Sequence, residues 1–105
     1  MEILKEKGKR LNVFGNEYEV IMSLNVLAKI EEELGDLEKL KLDFKTVPQI
    51  LRILIEDSCD RNPNAVRITA EEIGSGIGPS SIPELQAFIF ELLNPAEMQE
   101  KAKNA

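Results

Sequence analysis

The residues best able to do chemistry in this chain are one cysteine, a short run of oxygen-bearing side chains and a cluster of glycines. Each falls short of a known catalytic or binding pattern. The sequence contains no histidine, which removes the commonest general base and the commonest metal ligand. Cys59 is the sole cysteine; without a histidine partner it cannot form a papain-like dyad. The oxygen side chains of Asp60, Asn62, Asn64 and Glu71 match the first, third, fifth and twelfth places of a calcium-loop template. Ala65, however, stands where the sharp turn needs glycine, Arg67 takes the usual apolar place and Pro63 stiffens the run. Two carboxylates and no glycine do not predict calcium binding, and this stretch reads as an Asn-rich loop leading to a helix cap. Gly74-Ser75-Gly76-Ile77-Gly78 resembles a phosphate cradle only on the surface. A dinucleotide fingerprint wants glycine where Pro79 stands, and a P-loop wants Gly-Lys-Ser/Thr. It reads instead as a flexible turn ahead of the last helix. The expectation is a protein that is not an enzyme and holds no cofactor or metal.

Composition sharpens the exclusions. The net charge of −6 opposes phosphate-backbone binding, which is driven by clustered Lys and Arg, so no nucleic-acid partner is expected. The basic N-terminus, Lys5, Lys7, Lys9 and Arg10 among Glu2 and Glu6, is too short and mixed for a nucleic-acid arm and lacks the apolar run of a secretory signal. No apolar run approaches the about 20 residues of a membrane span. A lone cysteine fits a reducing cytoplasm. With 5% aromatic residues and no tryptophan, the core must be built on Leu and Ile. The chain fits one domain over 10–94, with a basic segment 1–9 before it and a polar tail 95–105 after it that is expected to fray.

A β-hairpin must come first. Gly15-Asn16 suits the positive φ angles of a two-residue turn, which would pair Phe14 with Glu17, Val13 with Tyr18 and Leu11 with Val20. Alternation then puts Leu11, Val13, Tyr18, Val20 and Met22 on a buried face and Arg10, Asn12, Glu17 and Glu19 on a polar one, where Phe14 and Ile21 are exceptions without a special role. A two-stranded ribbon is marginal alone and needs a helix layer beneath it.

The helices follow. Ser23 or Asn25 can cap a first helix with a Leu24, Leu27, Ile30, Leu34 stripe, ended by Gly35. Glu31 borders that stripe, as a solvated rim carboxylate, a buried polar contact or a partner contact; Glu32 and Glu33 point away. Leu37, Leu40 and Leu42 can tuck inward from a charged connector. Thr46 caps a second helix whose Val47, Ile50, Leu51, Ile53, Leu54 and Ile55 cover more than half its circumference, the mark of a central helix packed on several sides; Gln49, Arg52 and Glu56 form its narrow polar strip. Thr69 with Glu72 predicts a capping box on a short helix disrupted by Gly74, Gly76 and Gly78. Ser81 with Glu84 predicts a second box on the last helix, whose stripe is Leu85, Phe88, Ile89 and Leu92. The fold class is therefore α+β, mostly α: an N-terminal β-hairpin followed by three to four helices around a central apolar helix.

Phe90 lies far around the last helix from that stripe, with Ala87 on its side and Leu93 flanking it. A second apolar side on a peripheral helix means either unusual burial or a docking surface for a partner or a second copy.

The order of elements and several local patterns resemble the tail assembly chaperones of tailed bacteriophages and prophages. The resemblance rests on Phe14-Gly15-Asn16-Glu17-Tyr18-Glu19-Val20, on the helix Leu24 to Leu34 with Gly35, on the apolar helix Ile50 to Ile55, on Thr69-Ala70-Glu71-Glu72-Ile73-Gly74 and on the final apolar helix. It spans roughly 10–94. It implies a non-enzymatic protein in the cytoplasm of the bacterial host that keeps the long tape-measure protein soluble while tail-tube protein polymerises around it. Ala87, Phe90 and Leu93, with Glu31 on an acidic rim, are the candidate partner-binding residues. The alternative is a structural tail or head-tail component that stays in the virion.

Overall fold

The computed structural model describes residues 1–94, and the tail 95–105 lies outside the described residues. After an exposed, irregular start, β1 (Lys9–Val13) and β2 (Asn16–Val20) form an antiparallel hairpin. Helix α1 (Leu24–Leu34), a short 3-10 turn over Leu37–Lys39, α2 (Thr46–Arg61), α3 (Ala70–Gly76), a second 3-10 turn over Pro79–Ser81 and α4 (Ile82–Leu93) follow. The architecture is the expected α+β one. Helix α2 is its centre, packed against α1, α3, α4 and β2, and Val47, Ile50, Leu51, Ile53, Leu54 and Ile55 are all buried on it.

The hairpin keeps its expected faces but not its expected register. Leu11 pairs with Tyr18, Val13 with Asn16 and Lys9 with Val20, so the turn residues are Phe14 and Gly15. Both have positive φ, 53° and 81°, the signature of a type I′ turn, whose twist matches that of the strands. Asn12 Oδ1 accepts the Gly15 N–H at 3.1 Å and braces it. Because the register is displaced by two places and strand side chains alternate with period two, Leu11, Val13, Tyr18, Val20 and Met22 remain the buried set.

Four helical details also differ. Ser23 is the α1 cap, its Oγ accepting the Val26 N–H at 3.2 Å, and Gly35 ends the helix at φ 93°. The buried residues are nevertheless Val26 and Ile30, with Leu27 and Leu34 partly buried, and Leu24 is 83% exposed. At α2 the capping side chain is Asp43: its carboxylate accepts the Lys45 N–H at 2.9 Å and the Thr46 N–H at 3.0 Å. The Thr46 and Lys45 amides hold its pKa below the ordinary 3.8. Thr46 instead donates its hydroxyl to the Lys41 carbonyl. The Thr69–Glu72 capping box is present in full, while the helix it opens runs through Gly74 and Gly76 rather than breaking at them. Ser81 makes no capping bond, because the preceding 3-10 turn leaves it already helical at φ −89°, ψ −13°, where its hydroxyl is not aimed at the Glu84 N–H.

One cluster of buried side chains unites all these elements. Its polar knot is the Val66 carbonyl, which accepts both the Tyr18 hydroxyl and, at 3.8 Å, the Cys59 thiol. Burial pushes the Tyr18 hydroxyl above its usual pKa, and nearby Cys59 and Glu72 add to the rise. The hairpin, α2 and the segment leading to α3 meet at that carbonyl.

Candidate docking surface

The first residue to place is Cys59. It is 2% exposed; burial pushes its thiol pKa up, Asp60 and Glu56 reinforce the rise and Arg67 opposes it. A thiol so protonated and covered is a poor nucleophile and serves as a small apolar core group. Asp60 sits in the last turn of α2 and binds Arg67 at 2.8 Å, whereas Glu71 belongs to α3. Among the described residues no group of three His, Cys, Asp or Glu is placed to hold a metal ion.

The apolar surface is more distinctive. Ile89 and Leu92 of α4 are buried, while Leu85 and Phe88 are only partly so, so half the expected stripe lies near the surface. Phe90 is 41% exposed and Ala87 beside it is exposed. Leu93 is half-buried against the core. The three candidates therefore divide: Ala87 and Phe90 present an outward side, and Leu93 turns from it toward the core.

Leu93 joins a groove of about 550 Å³ that Leu4, Met22, Leu24, Leu27 and Leu92 also line. It runs between the end of α4 and the start of α1, and its strongest apolar rim is Leu24. Glu31 does not line it. That residue is exposed and lies two turns along α1 from Leu24 on nearly the same face, about 10 Å away by helical rise. The carboxylate engaged with the fold is Glu33, expected to point away; it pairs with Arg52 of α2, which also holds Glu56 at 3.0 Å. Arg52 thus ties Glu33 to α2, while Glu31 is left to solvent.

A second groove of about 550 Å³ passes Phe44, Pro48, Ile77, Pro79, Ile82 and Pro83. Phe44 above it is 72% exposed. Sequence patterning gave Phe44 no role, since it sits in a charged connector with no periodicity to orient it. The usable signal was compositional: a chain this poor in aromatics places Phe14, Phe44 and Phe90 at its surface, and aromatic groups are enriched at interface hot spots.

Comparison with known proteins finds no matching family model, no matching curated protein and no matching solved structure. No helix among the described residues is long and apolar enough to cross a membrane.

Proposed function

We propose that this protein is a non-enzymatic assembly chaperone of a phage or prophage tail, acting in the cytoplasm of the bacterial host on the tape-measure protein and presenting it to tail-tube protein. The reading rests on the resemblance of residues 10–94. The observation that carries it in the fold is the exposed side of α4: Phe90 stands out of a core already filled by Ile, Leu and Val residues. A tape-measure protein is a long helix-rich chain whose apolar stripes await burial, and its partner needs apolar contacts edged by charge. Phe90 and Ala87, with Leu93 leading into the neighbouring groove, supply the contacts. Glu31 and its neighbour Glu32 supply the charge.

The deciding variant is Phe90→Glu. Its stability stays within about 1 kcal/mol of the parent because the ring is not part of the core, while binding to a tape-measure segment weakens by at least about 2 kcal/mol, as for an aromatic anchor. Co-purification, read beside circular-dichroism melts, checks both halves. Undiminished binding moves the docking face elsewhere. A mass-spectrometric inventory of purified virions tests the role itself: a chaperone is missing from the particle, and stoichiometric incorporation makes the protein a structural tail or head-tail component.

A further inference from the structure

The two edges of the hairpin are not equivalent. The two-residue turn makes Val13–Asn16 a hydrogen-bonded pair, and alternation makes Leu11–Tyr18 and Lys9–Val20 the next ones, so Arg10, Asn12, Glu17 and Glu19 direct their backbone groups outward. On β2 this edge is blocked at Glu19, whose carbonyl accepts Arg61 Nη2 at 2.8 Å, with Arg61 held there by Asp57 at 3.3 Å and by the Glu19 carboxylate at 3.6 Å. On β1 no described residue bonds the outward N–H and C=O of Arg10 and Asn12. That open edge forms one wall of a groove of about 500 Å³, with Ile77, Leu85 and Phe88 opposite and Glu84 on its rim.

An open edge of this kind is a template for another strand. We propose that it receives β1 of a second copy of this chain, antiparallel about Leu11, giving a two-fold dimer with a four-stranded sheet. The strand is complementary to itself in this register. Leu11 meets the partner's Leu11 on the buried face, Lys9 meets the partner's Val13, and Arg10 meets the partner's Asn12. No like charges stand opposite one another. Across the solvent face each row reads Glu17, Asn12, the partner's Arg10, the partner's Glu19, so every guanidinium lies between a polar and an acidic neighbour. Charge does not oppose the pairing: Lys9 is held by its own Glu91 at 2.6 Å and Arg10 by its own Glu17 at 3.0 Å, and Glu84 on the groove's rim makes no ion pair among the described residues. The dimer also adds strands to a ribbon too narrow to be stable by itself.

Sedimentation velocity of the full chain, from about 1 μM to about 1 mM, tests this. The parent is expected to pass from monomer to dimer across that range, with hydrogen exchange at the Arg10 and Asn12 amides slowing as the dimer forms. Arg10→Pro removes an outward N–H that the hairpin itself does not use and is expected to weaken association at least tenfold with an unchanged circular-dichroism spectrum. Should that variant lose its fold, Leu11→Thr serves in its place: it brings the β-branched shape a strand favours and keeps the Asn12 brace on the turn, but replaces the apolar pair at the two-fold axis with a polar one, and association should weaken similarly. A parent that stays monomeric throughout, including one whose β1 edge captures a foreign peptide instead, overturns the proposal. So does a dimer that is equally tight in the variants that fold.

Discussion

Val20 and Glu19 are neighbours in the chain with opposite surroundings. Val20 is 0% exposed on the strand that packs against α2; Glu19 has an exposed side chain whose carboxylate stands 3.6 Å from Arg61. A charge at position 20 would be buried, and the cation opposite it, Lys9, is already held by Glu91 at 2.6 Å, so Val20→Asp is expected to destabilise the protein by about 3 kcal/mol. Glu19→Lys exchanges a weak surface attraction for a weak repulsion, and its cost is expected near 0.5 kcal/mol. Urea midpoints of the two variants measure the contrast directly. Similar midpoints would mean that the buried face of the hairpin has been assigned the wrong way round.

At the scale of elements, the hairpin turn and the end of α3 depend on each other. A Cβ built on Gly76 would lie 2.4 Å from Cζ of Phe14, so the Phe14 ring rests directly over the glycine. Phe14 itself adopts φ 53°, a conformation that disfavours a bulky side chain, and the ring contact offsets that cost. Gly76→Ala is expected to destabilise the parent by about 1 kcal/mol as the ring is displaced. In a Phe14→Asn background, where the turn residue prefers positive φ and no ring is present, the same change should be neutral or stabilising, because alanine is the better helix former. A double-mutant cycle reads the difference, and additivity within about 0.3 kcal/mol would show that the ring is not seated there.

That contact also marks how far the elements were legible in the sequence. The hairpin, the central α2, the Gly35 stop and the Thr69–Glu72 box all depend on neighbours a few residues away, and patterning read them correctly, while the α1 cap was narrowed to Ser23 or Asn25. The turn was misread because Gly15-Asn16 is the pair that local propensity favours, whereas Phe14-Gly15 gains its support from Gly76, far along the chain. Leu24 and Val26 are both compatible with a helical apolar stripe; the line along which α1 meets α2 selects Val26 with Ile30 and leaves Leu24 outside. Helical spacing puts Glu31 beside the stripe and turns Glu33 away from it, and only the placement of Arg52 on α2 shows that Glu33 is the carboxylate tied to the fold. Of the candidate site, the α4 stripe put Phe90 and Ala87 on a second side of the helix and left burial and docking both open, and the groove at Leu93 needed the N-terminal segment and the start of α1 to be brought beside it.

On the scale of the whole molecule, core and surface divide the apolar residues by type. The fully buried large side chains are Ile, Leu and Val residues with Tyr18, and no phenylalanine belongs to the buried core. Leu24, Phe44 and Phe90 instead stand at 83%, 72% and 41% exposure. Leu24 and Phe44 contribute little to folding, because the area they remove from solvent is small, and Phe90, only partly covered, contributes less than a core ring. They do raise the tendency to associate. Replacing all three together, Leu24→Gln with Phe44→Gln and Phe90→Gln, is therefore expected to leave the free energy of unfolding within about 1.5 kcal/mol of the parent while abolishing capture of a tape-measure segment and lowering the binding of an apolar fluorescent dye. Urea denaturation, co-purification and dye titration together separate two roles for this surface. Loss of cooperative unfolding in the triple variant would assign these residues to the fold. A cooperative variant that still captured the segment would leave the open edge of β1 as the surface where partners meet this protein.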